Sequence, residues 1–470
     1  MISHRLSSCI FTTIAALTAT VATATAGDFA PPAKPSAAKA PPADASPAER
    51  GYWFLTQKPY LPADFDQATF DATWKVWPAD LQAKAESASP DERRQMAFSR
   101  YGLTGRPEDP TKPLQYVVDA EGNWTMNCFS CHGGKVLGKT KPGLPNSRYA
   151  LETLTADIRR VKLLLGKQMT RMDMGSLLVP LGTTNGTTNA VMFGVALLAY
   201  RDAELNLQLD NPMPKMVHHD MEPPAWWQFK KKTHLYLDAF AQKGHRGLMQ
   251  FMLVQENGPE NFRQWESDFR DVYAYIESIE APKYPFGIDQ SLASQGRAVF
   301  NDNCSHCHGT YGDDAEYPNR LIPLEEIGTD NVRLGALSVD GRKVYHKSWF
   351  GHFGEHETRV DPKGYIAPPL DGVWASAPYF HNGSVPTLWH VMNSSERPVV
   401  WKRSEDGYDQ ERVGLVVEEF EKLPSSIRRA DDLRTYFNTS RFGKSSAGHT
   451  FPDELTSDER RAVLEYLKTL

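Results

Sequence analysis

Four of the five cysteines in this 470-residue chain fall in two Cys-x-x-Cys pairs, and a histidine directly follows each pair. The first run is Cys128-Phe129-Ser130-Cys131-His132 and the second is Cys304-Ser305-His306-Cys307-His308. Two thiols separated by two residues match the two vinyl groups on one edge of a porphyrin, and the adjacent imidazole reaches the iron. The pattern predicts two covalently attached haem c groups, with His132 and His308 as proximal ligands. Disulfides and a four-cysteine zinc site are the bland uses of such residues. Neither calls for a histidine immediately after each pair. His306, between the second pair of cysteines, reads as a bystander.

Each iron has a sixth position, and its filling separates electron transfer from chemistry on an oxidant. For the second haem, a loop just before a C-terminal helix is the expected source of the distal ligand. His449, in Ala447-Gly448-His449-Thr450-Phe451, stands there. His381 and Met392 are the alternatives. For the first haem, no histidine occurs between His132 and His218, and Met169, Met172 and Met174 read as packing residues. His218, His219, His234 and His245 sit in no recognisable ligand context. The first haem is therefore expected to have an open or weakly held sixth site.

The nearest chemistry-bearing cluster to that site is Glu222 with Trp226 and Trp227, in Met221-Glu222-Pro223-Pro224-Ala225-Trp226-Trp227. A carboxylate there could move protons to or from bound oxygen species, and an indole could relay electrons between haems. The competing reading makes the tryptophans ordinary core aromatics. Lys230, Lys231 and Lys232 read either as a solvated face or as partners of haem propionates.

The elements that position these residues are mostly helical in pattern. Apolar residues recur at helical spacing over Leu151 to Leu165, Ala190 to Leu205 and Phe262 to Ile279. No strong alternating run predicts a strand. At the C-terminus, Ser457 suits an N-cap, and Val463, Tyr466, Leu467 and Leu470 share one face. Gly296, in a preceding helical stretch, would allow that helix a close approach. The predicted fold is mostly α, with two class I cytochrome c-like haem domains packed together, long loops and little sheet.

Arg5, the apolar stretch Ile10 to Val21 and Ala24-Thr25-Ala26 predict a signal peptide over residues 1–26. Cys9 would leave with it. Residues 27–48, rich in Ala, Pro and Lys, read as a disordered tether. An N-terminal haem domain is expected over 49–285 and a C-terminal one over 286–470, with a linker near Pro282 to Ile288. Apolar residues make up 40% of the chain and charged residues 23%, a globular balance. No membrane span is expected after signal cleavage. The net charge of -6, from 52 basic and 58 acidic residues, gives no reason to expect nucleic acid.

Two separated haem c motifs, together with Ala367-Pro368-Pro369-Leu370-Asp371-Gly372-Val373-Trp374 and Ala377-Pro378-Tyr379-Phe380-His381-Asn382-Gly383-Ser384, resemble the bacterial di-haem cytochrome c peroxidases. That superfamily includes the enzyme that matures methylamine dehydrogenase. Gly182 to Ala190 looks like a variant of its Arg-Asn-Ala-Pro stretch. The resemblance covers roughly Tyr101 to Leu470 and is most specific in the second half. Pro223-Pro224-Ala225-Trp226-Trp227, Gly383 to Leu388 and Ser445 to Phe451 point to the branch with the di-haem rubber oxygenases. That branch implies a reactive, dioxygen-binding N-terminal haem and a C-terminal haem with two histidine ligands. The peroxidase resemblance also raises a calcium ion between the haems. The Phe-Trp-Asp-Gly-Arg segment and early distal histidine of ordinary peroxidases are missing. Where peroxidases place a methionine ligand and the maturation enzyme a tyrosine, this chain has Ser395. It is shorter than a rubber oxygenase, so that substrate does not carry over.

The expected protein is a periplasmic or secreted di-haem c-type cytochrome oxidoreductase, peroxidase- or oxygenase-like. Its oxidant would be peroxide or dioxygen, and its electron donor a small cytochrome or cupredoxin. The rival reading is an electron-transfer cytochrome with no catalytic site.

Overall fold

The computed structural model describes residues 40–178 and 181–470. The expected signal peptide and most of the expected tether lie outside the described residues. Ser46 caps the helix Pro47–Gln57 through a reciprocal bond with Glu49, so regular structure begins inside the last residues assigned to the tether. Arg50 grips Asp271 with two hydrogen bonds of 2.7 and 2.8 Å, tying this helix to Pro259–Ser278. Gly51 makes the crossing possible. A β-carbon there would meet the Asp271 carbonyl and stand 2.7 Å from the Tyr275 β-carbon.

A second helix pair frames the second motif. Gln290–Asn303 runs directly into Cys304 and crosses Ser457–Leu467. Gly296 sits at the crossing, where a β-carbon would overlap the Ala462 carbonyl and stand 2.8 Å from the Val463 nitrogen. The expected close approach is present. The C-terminal helix is capped one residue earlier than the sequence suggested, by Thr456 in a capping box with Glu459. The expected helix over Ala190 to Leu205 stops at Ala199, and Leu205 takes a positive φ of 70°.

The mostly α expectation, with two class I cytochrome c-like domains, does not hold. Helix accounts for 42% and strand for 12% of the structure, the strand lying in small sheets. Asn123–Met126 is the central strand of an antiparallel sheet with Phe65–Asp66 and Tyr116–Val118. Val400–Asp409 pairs with Gly414–Phe420 on one side and Tyr436–Asn438 on the other. These strands carry aromatics on their buried positions, among them Trp124, Trp401 and Phe437. Trp401 and Phe437 face each other across the strand pair with nearly parallel rings 5.1 Å apart.

The main buried cluster draws on both halves of the chain, including Phe54, Phe129, Phe262, Phe300, Trp374 and Val463. The expected linker is itself packed. The Pro282 carbonyl accepts from the Trp374 indole at 2.8 Å, and Tyr284 packs edge-on against Trp374. Among the described residues, no helix is long and apolar enough to cross a membrane.

Candidate haem sites

Both motifs fold as single helical turns, Phe129–His132 and Ser305–His308, each preceded by its first cysteine. One turn of helix brings residues i and i+3 to the same face. Each cysteine pair therefore presents both thiols on one side. None of the four cysteines is in a disulfide. Nor do the pairs converge on a zinc site: among the described residues, no three His, Cys, Asp or Glu side chains gather in a metal-binding group. That holds for a carboxylate cluster around a calcium ion as well.

The two histidines are held alike. His132 Nδ1 donates to the Pro224 carbonyl at 3.0 Å, and His308 Nδ1 donates to the Pro368 carbonyl at 2.8 Å. A carbonyl only accepts, so each bond fixes the proton on Nδ1 and leaves Nε2 as the free ligand atom. Burial pushes the His132 imidazole down to about 4 and lowers that of His308 too. Both rings are thus neutral at pH 7, the form that binds a metal.

All four cysteines and both proximal histidines line one continuous, mainly apolar cavity of about 680 Å³. The His449 ring stands 6.1 Å from the His308 ring, centroid to centroid, at an angle of 65°. Two imidazoles on opposite sides of one metal stand about 6 Å apart, from two metal–nitrogen bonds of roughly 2 Å and half a ring each. The residues at the second motif therefore fit a haem with two histidine ligands. Both alternatives line the same cavity. His381 is half-buried with its ring 4.8 Å from Tyr365, and Met392 is buried on the short helix Leu388–Met392.

The loop that carries His449 is held from several sides. Arg397 donates to the carbonyls of Ser446 and Gly448 at 2.7 Å each and of His449 at 3.3 Å. Its Nε holds the His390 carbonyl at 2.9 Å. Asn382 donates to the Ser445 carbonyl at 2.9 Å, and Lys444 forms a buried 2.8 Å ion pair with Asp220. His449 itself takes a φ of 49°, with its backbone N–H on the Ile327 carbonyl. Sequence reasoning misses Arg397, because nothing local marks an arginine that works on a loop fifty residues away.

Around the first motif, Trp226 stacks on His132 with centroids 4.8 Å apart and planes 25° apart. The Trp227 indole donates to the Asp371 carbonyl at 2.7 Å. Asp371 lies three residues beyond Pro368, whose carbonyl orients His308. The two tryptophans are also buried members of the main core. The orienting carbonyls share a local signal: both belong to Pro-Pro pairs, Pro223-Pro224 and Pro368-Pro369.

Glu222 lines the same cavity near Cys131, and neither carboxyl oxygen has a hydrogen-bond partner. Burial raises it well above the ordinary carboxylate range, against a smaller opposing pull from Arg403. Burial therefore favours the protonated form of the carboxyl. The folded protein holds this proton more tightly than the unfolded chain, so stability is lost as pH rises above the ordinary value of 4.5. Chemical unfolding of Glu222→Gln is expected to lack this contribution. In the wild type it amounts to at most about 1.4 kcal/mol per pH unit over the affected window. Identical pH–stability curves for the two proteins would refute the assignment.

Residues 364–402 match the family model described as RoxA-like, cytochrome c-like. That stretch contains the Pro368 carbonyl, Asp371, His381, Met392 and Arg397. At domain level the match supports a c-type cytochrome oxidoreductase with haem c as cofactor. Two proteins of Sinorhizobium fredii (strain NBRC 101917 / NGR234) are similar to the chain. "Uncharacterized protein y4iM" is 28% identical over 233 residues, covering 42% of this chain and 52% of the relative. "Uncharacterized protein y4iJ" is 29% identical over 260 residues, covering 41% of each. The chain spans about half or less of the length of these relatives.

Proposed function

We propose that this chain is an exported di-haem c-type cytochrome oxidoreductase, peroxidase- or oxygenase-like. The Cys128/Cys131/His132 haem is the reacting site and the Cys304/Cys307/His308 haem is the electron-transfer site. One observation carries the reading: the two proximal histidines have unlike surroundings. His308 meets His449 at the spacing of two axial imidazoles, whereas His132 stacks on Trp226 and shares its region of the cavity with Glu222.

When bound, haem c supplies one-electron chemistry and, where an axial position is open, reaction with peroxide or dioxygen. The chain's own residues prepare that chemistry. Pro224 and Pro368 orient the two ligand rings. The apolar lining excludes water from the cavity. Glu222 offers an oxidant in the cavity a carboxyl group whose protonated form burial favours and whose oxygens have no competing partner. Trp226, Trp227, Asp371 and Pro368 join His132 to His308 through packed and hydrogen-bonded atoms, a route for electrons. The signal-like N-terminus supports a periplasmic or secreted location, with a small cytochrome or cupredoxin as donor.

Haemochrome analysis is expected to give two haems per chain, and the oxidised protein to show one high-spin and one low-spin resonance. Replacing Cys128 and Cys131 with alanine should remove the high-spin signal. Replacing Cys304 and Cys307 should remove the low-spin one. A wild-type spectrum with low-spin signals only, and no binding of cyanide or carbon monoxide, would make the protein an electron carrier instead.

A further inference from the structure

Three lysines in a row have three different fates. Lys230 reaches Glu280 at 2.7 Å, and Lys231 reaches Asp371 at 2.7 Å. The Lys232 amine has no hydrogen-bond or ion-pair partner among the described residues, yet Lys232 is half-buried and lines the cavity shared by the two motifs. Its backbone is fixed on both sides by one residue. Asn319 donates to the Lys231 carbonyl at 3.0 Å and accepts from the Thr233 N–H at 2.9 Å. The backbone that carries Lys232 is thus held in place beside the cavity that the residue lines.

A lone ammonium facing an apolar cavity is costly unless an anion joins it. Burial alone pushes the Lys232 amine down to about 8, and no carboxylate among the described residues offsets this. A haem is apolar over most of its surface and carries its negative charge on two propionate groups. We infer that Lys232 is the counter-ion of a haem propionate in this cavity. The inference rests on the haem reading above. A positive charge at that place favours the ferrous state, because it offsets the electron added on reduction.

The test uses the loaded protein and spectroelectrochemical titration of each haem. Lys232→Gln is expected to keep both covalently held haems and to lower the midpoint potential of one of them. Lys232→Arg, which keeps the charge, should stay near the wild-type value, as should Lys230→Gln. A fall in the low-spin haem's potential assigns the propionate to the second haem, and a fall in the other's assigns it to the first. Unchanged midpoints for both haems in Lys232→Gln would overturn the inference. Should that variant fail to load, the same comparison is made with Lys232→Met, and unchanged midpoints there would overturn it equally. Failure of the haem reading itself is distinct: the wild type would then show no haemochrome.

Discussion

A His449→Ala protein is expected to retain both haems and to lose the low-spin ferric signal of the wild type. Retention follows from covalent attachment, which depends on Cys304 and Cys307 and not on the distal side. His308 also stays oriented by the Pro368 carbonyl, a bond the substitution does not touch. What disappears is the ring 6.1 Å from His308. The space it vacates opens on the cavity, so small ligands gain a second site. Carbon monoxide or cyanide should then titrate two haems per chain where the wild type binds at one. Added imidazole should restore the low-spin spectrum by filling the vacated position. An unchanged spectrum would shift the assignment to His381 or Met392, which share the cavity.

The second large effect concerns stability. Gly296→Ala places a methyl group inside the Ala462 carbonyl, with the Val463 nitrogen only 2.8 Å away. These are backbone atoms and cannot swing aside, so the helices Gln290–Asn303 and Ser457–Leu467 must move apart. Overpacking of this kind costs about 1–3 kcal/mol, and more where backbone has to yield. Urea unfolding is expected to show at least the upper part of that range. Gly287→Ala is the control, since nothing lies within 4 Å of a β-carbon there. A loss at Gly296 below about 0.5 kcal/mol, the usual limit for surface changes, would show that the crossing is not close-packed.

The legible part of the site was the part written as local spacing. Cys-x-x-Cys-His is self-contained within five residues, and Gly296 lies in a helix whose partner has a plain apolar face. His449 could be singled out because it stands on the loop just before that partner. The sheet around Trp401 was not legible. Lys402 pairs with Glu418 on one face, while on the other the exposed Glu419 pairs with the buried Trp401, and the charges broke up the alternation. The crossing at Gly51 was hidden for another reason: an Ala- and Pro-rich tract runs without interruption into the helix at Pro47. The class I expectation failed with it, since only one crossed pair was visible and its surroundings were filled in as helix. The separate fates of Lys230, Lys231 and Lys232 depend on Glu280, Asp371 and Asn319, which no local pattern connects to them.

The clasp of Arg397 on three successive parts of the His449 loop has a kinetic meaning. An electron passes quickly through a centre whose geometry is nearly the same before and after. A ligand on a free loop would shift with each change of charge at the iron, and every shift slows the next transfer. Here one guanidinium holds the Ser446, Gly448 and His449 carbonyls from a single point. In the proposed reading the loop would thereby be denied the small displacements that make up reorganisation energy, and the second centre would cycle with little motion.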